Sequence, residues 1–239
     1  MSADEPSKAS GKPPQAAPKP KDRLPLIVIG GMFLAALIVG GVLLVVLSGS
    51  DSSSSDGLPS PEDVPPNMAL VTYVPASLGE VTESEFEHAF EQTVAASGLK
   101  KAPAPGSVKY GQMRESALGN AIEMIWVQGQ AKEMGLVATP AQVSAELEHL
   151  KETKFNSDAE YQDFLDNAHY TGDDVTERIE VQILSNRIQE KVAAEAPKKD
   201  PGQKSFTKFL TDFHHRWKFR TVCAPDLVVE QCSNGESSG

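Results

Sequence analysis

The chain has two cysteines, Cys223 and Cys232, which lie nine residues apart near its C-terminus. This spacing does not form a C-x-x-C motif, which argues against thiol–disulfide oxidoreductase chemistry. In an oxidising compartment two such cysteines pair as a structural disulfide. A short loop closed in this way contributes about 2–3 kcal/mol in the loop-entropy model. We predict a Cys223–Cys232 disulfide.

Metal and acid–base chemistry find little support in the residue pattern. His214 and His215 are the only histidine pair, and neighbouring helix positions point about 100° apart, so the two rings do not converge on one metal ion. Carboxylates such as Asp173 and Asp174 stand at a helix start, where they favour the helix dipole. The chain contains no H-E-x-x-H, P-loop or G-x-G-x-x-G motif. We predict no catalytic residue, no metal site and no cofactor.

An unbroken apolar run extends from Leu24 to Leu47 without a charged residue. As a helix it reaches about 36 Å, enough to cross the roughly 30 Å hydrocarbon core of a bilayer. Basic residues precede the run, and Asp51 and a serine tract follow it, which places the N-terminus in the cytoplasm. We predict a single-pass cell-membrane anchor over residues 23–48. A cleaved signal peptide is the alternative, but its apolar core is only about 7–15 residues long.

Charge and composition divide the rest of the chain. The net charge of −11 consists of +2 over residues 1–50 and −13 over the remainder, and an acidic extracytoplasmic part argues against nucleic acid as a partner. Residues 1–22 are predicted to be a disordered cytoplasmic tail, residues 49–67 a flexible Ser/Pro linker, and residues 233–239 a disordered tail. The folded, extracytoplasmic domain is expected over residues 68–232.

Capping patterns predict helices along most of that domain. Thr82 with Glu85, and Thr139 with Pro140 and Gln142, are typical of helix starts, and apolar residues follow each at helical spacing. The predicted helices begin at Thr82, Ser107, Thr139, Ser157 and Thr171. Short connections between them indicate a mainly α fold, a helical bundle, preceded by a short strand at Leu70–Val74.

A sixth predicted helix carries an aromatic stripe. The stripe consists of Phe206, Phe209, Leu210, Phe213 and Trp217. We expect it to dock into the domain's own core, with Trp217 buried, because such a stripe left in water promotes aggregation. The segments Phe219–Val222 and Leu227–Val229 are expected to form a small terminal β-hairpin, with its first strand near Leu70–Val74.

Two segments resemble a known family. Val71–Phe86 contains a strand, a glycine-containing turn and a Thr-x-x-Glu-Phe helix start, and Ala121–Leu165 contains I-x-x-I-W-x-x-x-x-A-x-x-x-G, ending at Gly135 and followed by Thr139-Pro140. Their order and spacing resemble the N-terminal chaperone domain of SurA/PrsA-type extracytoplasmic foldases. The resemblance implies a helical chaperone module that binds unfolded or exported polypeptides.

The chain departs from that family after the fifth helix. A parvulin-type prolyl isomerase domain usually follows there, but only Ala193–Lys204 occupies this place. No catalytic residue can be carried over, so we expect a chaperone-like module that is not an enzyme. An isomerase-related foldase, an accessory or scaffold subunit of a cell-envelope complex, and a spacer between membrane and wall are the alternatives.

Adaptable side chains in the second helix are the candidates for substrate binding. They are Met113, Met124, Trp126 and Met134. Methionine and aromatic side chains repack around varied partners. The alternative is that all four are ordinary core residues, the usual fate of apolar positions on a helix.

Overall fold

The computed structural model describes residues 60–64, 67–197 and 203–236. The predicted membrane anchor over residues 23–48 lies outside these ranges, as do the tail over residues 1–22 and most of the linker. Among the described residues, none of the helices combines the length and the apolar character that crossing a bilayer requires.

Six α-helices make up most of the described chain, and every helix predicted for the folded domain is present. The five predicted caps are confirmed, because the side chain of each N-cap residue accepts a hydrogen bond from a backbone N–H in the first turn of its helix. At Thr82 the bond is reciprocal, since the Glu85 carboxylate accepts from the Thr82 N–H at 2.8 Å. The helices are α1 (Glu83–Ala96), α2 (Val108–Glu133), α3 (Pro140–Lys154), α4 (Asp158–Ala168), α5 (Gly172–Glu195) and α6 (Gln203–Lys218).

Three short strands form one antiparallel sheet in the order β2-β1-β3. They are β1 (Asn67–Val71), β2 (Glu80–Thr82) and β3 (Thr221–Cys223). Leu70 lies opposite Val222, so the predicted proximity of the C-terminal strand and the first strand is confirmed. Sequence reasoning missed β2, which runs directly into the cap of α1.

The predicted terminal hairpin is wrong. Leu227 and Val229 are buried but lie outside any strand, and the outer edge of β3 is covered by side chains instead. Asn234 Nδ2 donates to the Cys223 carbonyl at 2.9 Å, and Asn234 Oδ1 accepts from the Cys223 N–H at 3.1 Å. The amide of Asn234 therefore takes the place of a fourth strand.

The two ends of the folded domain also differ from the boundaries that were predicted from the sequence, residues 68 and 232. Val64, which the sequence places in the linker, is fully buried against Val222 and Ala224. Ser233–Glu236 forms a short 3-10 helix beyond the predicted end at residue 232. Both boundaries differ because the short segments at the two ends of the domain pack against β3, on the side that is not paired with β1.

Cys223 and Cys232 lie at disulfide-bonding distance, with 5.7 Å between their Cα atoms. Both side chains are fully buried. This geometry fits the predicted pair, while the oxidising compartment that the bond needs stays a prediction.

The C-terminal segment is held against α2 by two tryptophans. Trp217 is fully buried, as predicted, and its indole lies on Gly129, where an added Cβ would overlap the ring. Its Nε1 donates to Gln130 Oε1 at 3.1 Å, and Trp126 Nε1 donates to Thr221 Oγ1 at 2.8 Å. The aromatic stripe of α6 is thus part of the core of the whole domain.

The close approach of Trp217 to Gly129 gives a stability prediction. Gly129→Ala should lower the melting temperature despite the better helix propensity of alanine, because the new methyl group displaces the indole. We expect a loss of about 1–3 kcal/mol in the free energy of unfolding. The measurement is thermal unfolding followed by circular dichroism.

Gly111→Ala is the matched control in the same helix. A Cβ at Gly111 would meet nothing within 4 Å, so this variant should gain up to about 1 kcal/mol from helix propensity alone. Equal effects of the two substitutions would contradict the role of the Trp217 contact.

Candidate functional site

A groove of about 180 Å³ opens between α1, α2, β2 and the first turns of α5. Its lining combines apolar side chains, which we call the floor, with polar side chains, which we call the rim. The floor is formed by Leu78, Val81, Ala89, Ala117, Ala121, Met124 and Ile125. Such a combination is typical of ligand sites, which pair an apolar surface with a few placed polar groups.

Helical spacing on α2 builds one wall of the groove. Ala117, Ala121, Met124 and Gln128 are separated by four, three and four residues, so they share one face of the helix. The two alanines have short side chains, which leaves room between α1 and α2 for the groove. Met124 is the long and flexible side chain of this face, and it is partly buried.

A hydrogen-bonded network joins α1 to α5 along the rim. Gln92 is a nearly buried polar residue of α1, and its Oε1 accepts from Arg178 Nη2 at 2.8 Å. Its Nε2 donates to the His169 carbonyl at 3.4 Å. One turn earlier, His88 Nε2 lies 2.9 Å from Asp174 Oδ2. The network fixes the distance between the two helices and thus the width of the groove.

Asp174 connects this network to the start of α5. Its Oδ2 accepts from the Thr171 N–H at 2.6 Å and from the Thr171 hydroxyl at 2.7 Å, which completes the capping box of the helix. Burial acts to raise the pKa of Asp174, but the hydrogen bonds from Thr171 and the contact with His88 outweigh it, so the pKa is lowered. The carboxylate is therefore held in its charged form.

Glu177 lies on the same wall and is shifted in the opposite direction. Desolvation raises the pKa of Glu177, and the hydrogen bond from Gln128 Nε2 to Glu177 Oε1, 3.2 Å long, only partly opposes this shift. The rim thus offers one firmly charged carboxylate, one that is protonated more readily, and the Arg178 guanidinium. These groups can accept from and donate to a peptide backbone.

The geometry does not assemble a metal site from the described residues, where no three His, Cys, Asp or Glu side chains converge. Nothing in the groove brings a nucleophile to His88, whose Nε2 contacts Asp174 and Gln92. The arrangement is suited to binding.

A second cleft lies on the other side of α1. It has two adjoining parts, with volumes of about 630 Å³ and about 490 Å³. Its aromatic residues are already engaged with one another. Tyr110 packs edge-on against Phe90, and the Arg114 guanidinium lies 5.2 Å from the centre of the Phe86 ring. Because these rings already contact one another or Arg114, we take the groove beside Met124 as the better candidate.

The structure brings only one of the four predicted substrate-binding residues to the groove. Met124 lines it, Met113 is buried, and Met134 is at the far end of α2, packed against the core. Trp126 is 1% exposed and is hydrogen-bonded to Thr221, so it is a core residue here. Substrate binding by these residues stays a prediction.

Sequence reasoning missed the residues that surround Met124. The floor alanines Ala117 and Ala121 gave a usable signal, because two small residues four apart mark a close helix approach or a recess. Gln92 gave a second signal, because an amide that is buried on the apolar face of α1 needs polar partners from a neighbouring element. The partners themselves, His169 and Arg178, could be identified only from the packing of α4 and α5.

Comparison with protein families gives a match over residues 31–189 to the SurA-like N-terminal domain. The matched range covers β1, β2 and α1 to α4 completely, and α5 up to its last two turns, so all four walls of the groove lie within it. It includes no parvulin domain. Neither the curated proteins nor the solved structures give a match.

The lowered pKa of Asp174 predicts a pH-dependent contribution to stability. A carboxylate whose pKa is lower in the folded state stabilises the fold above its unfolded pKa of about 3.9, and this contribution is lost as the pH falls through the folded value. Asp174→Asn should therefore destabilise the domain by about 1 kcal/mol at pH 5.5, and by less at pH 3. Denaturant unfolding at the two pH values measures this difference.

Asp173→Asn is the matched control, because Asp173 is an exposed carboxylate in the same first helical turn. This substitution should change the free energy of unfolding only slightly at both pH values. An Asp174→Asn effect that is equal at pH 5.5 and pH 3 would show that the charge of Asp174 is unimportant.

Proposed function

The chain belongs to the SurA-like N-terminal domain family, and we propose that it is a membrane-anchored, extracytoplasmic chaperone module. Its substrates are unfolded or exported polypeptides, which bind in the groove beside Met124. The proposed activity needs neither ATP nor a cofactor. It consists of reversible binding that keeps apolar segments away from one another.

The observation that carries this proposal is the combination of an apolar floor and a hydrogen-bonding rim in one groove. An apolar side chain of an extended substrate can cover the floor, while its backbone reaches Arg178, Gln128 and the carboxylates of the rim. Burial of apolar surface contributes about 2.5 kcal/mol per 100 Å². A groove of this size therefore supports weak binding, which suits release of the substrate.

The connection between α5 and α6 supports a function without isomerase catalysis. Glu195 ends α5 and Gln203 begins α6, so the chain between them is far too short for a parvulin domain of about a hundred residues. In addition, α6 returns directly to the core through Trp217. In the proposed module, a short connection between α5 and α6 stands where the family usually carries an isomerase domain.

The cellular location rests on the N-terminal sequence. The apolar run from Leu24 to Leu47 and the basic residues before it support a single-pass anchor with a cytoplasmic N-terminus. The domain that begins near Val64 then lies outside the cytoplasm, where exported chains emerge unfolded. A disulfide between Cys223 and Cys232 agrees with this location.

The proposal predicts that Met124→Glu weakens chaperone activity. A carboxylate on the groove floor opposes apolar burial, so the full chain in lipid nanodiscs should suppress aggregation of a chemically unfolded test protein several-fold less well. Light scattering measures the aggregation, and circular dichroism verifies that the variant is folded.

Met134→Glu is the matched control, because Met134 is a partly buried methionine at the C-cap of the same helix and lies outside the groove. It should retain the activity. Equal loss in the two variants would contradict binding at the groove, and cross-linking in membranes that yields one dominant partner would favour a dedicated accessory subunit.

A further inference from the structure

An exposed aromatic pair lies at one end of the sheet. The large apolar side chains exposed among the described residues are Tyr73, Val108, Val137 and Phe219. The backbones of Tyr73 and Phe219 follow the same end of the β1–β3 pairing, which the hydrogen bond from the Thr72 N–H to the Arg220 carbonyl, 2.8 Å long, extends towards these two residues. The Arg220 guanidinium lies 4.8 Å from the centre of the Tyr73 ring.

The backbone of Tyr73 is strained. Its φ of 67° lies in the left-handed region, which costs about 1 kcal/mol or more for a residue other than glycine. The strain is not offset by burial, since the side chain is 67% exposed. The contact with Arg220 leaves most of the Tyr73 side chain exposed, so the ring is available to a partner outside the fold.

Arginine and lysine residues lie close to Phe219 in the chain, on an otherwise acidic domain. The stretch from His214 to Arg220 contains two histidines, two arginines and a lysine, and no acidic residue occurs between Asp212 and Asp226. Glu133 is the acidic neighbour, and it pairs with Arg220 and Arg216. We call this surface the basic-aromatic patch, consisting of Tyr73, His215, Arg216, Lys218, Phe219 and Arg220.

The chemistry of the patch fits a lipid surface better than a peptide. None of its residues lines the groove or the second cleft described above. Tyrosine and other aromatic side chains favour the headgroup region of a bilayer, and arginine and lysine are attracted to anionic headgroups. Neither preference requires a cleft.

We propose that the basic-aromatic patch docks on the anionic surface of the membrane that holds the chain. This inference rests on the membrane anchor of the proposed function, and it adds a second point of attachment. If the part of the predicted linker before Pro61, residues 49–60, behaves as a flexible chain, it spans about 20 Å on average. The patch is about four residues of strand, or roughly 13 Å, from the Val64 end of the sheet, so the linker allows it to reach the bilayer.

Fluorescence quenching by brominated lipids tests this docking. Phe219→Trp places a reporter in the patch of the full chain, while Trp126 and Trp217 are buried and out of reach of lipid. In nanodiscs with brominated acyl chains, the emission of this variant should be quenched at least about twofold more with phosphatidylglycerol than with phosphatidylcholine, and high salt should remove the difference.

Tyr73→Gly in the same background separates surface contact from folding. Glycine adopts a positive φ without strain, so the melting temperature should stay constant or rise, while the quenching falls about twofold. Val137→Gly is the control, because Val137 is similarly exposed, at 64%, and lies outside the patch. It should leave the quenching unchanged.

Each other outcome would overturn the inference. Equal quenching in the two lipids, or no effect of Tyr73→Gly, would exclude docking through the patch even if the chain elutes with the nanodiscs. Binding to polyglutamate without quenching would assign the patch to acidic polypeptides. A chain that fails to elute with nanodiscs would refute the anchor and this inference together, whereas the groove could still be active.

Discussion

The contact between Trp217 and Gly129 is the constraint on which the rest of the domain depends. A side chain at position 129 would overlap the indole, which attaches α6 to α2, while α6 also packs against α5. Thr221, four residues later, accepts from Trp126 Nε1 and donates to the Trp217 carbonyl, which positions β3 beside β1. One close approach between helices therefore joins the C-terminal segment to both the bundle and the first strand.

This arrangement gives α2 two different surfaces. Trp126, Gly129 and Gln130 face the C-terminal segment, whereas Ala121, Met124 and Gln128 face the groove. The first surface is filled by large aromatic groups, and the second is left recessed by small ones. The C-terminal segment covers only the first of these surfaces of α2. The groove on the second surface therefore stays available to a ligand. The proposed binding site therefore does not depend on the connection between α5 and α6.

The helices could be predicted because their boundaries are set locally, by caps such as Thr139 with Gln142. The pairing of β3 with β1 followed from the need to cover apolar residues. The hairpin prediction failed because the Asn234 amide, rather than Leu227–Val229, covers β3. The groove was only partly predictable, since residue type does not distinguish Met124 from Trp126. Two positions apart on a helix, these residues point in nearly opposite directions, and only packing shows which one faces the core.

Hydrogen exchange on the full chain in nanodiscs, with and without an excess of a permanently unfolded polypeptide, tests the central claim most directly. If the groove binds the polypeptide, its presence should slow amide exchange in β2, in the first three turns of α1 and along residues 117–128 of α2, because bound substrate stabilises these segments against local opening. The segment from α6 to β3 should exchange at an unchanged rate. Protection confined to that segment, or no change anywhere, would contradict the account.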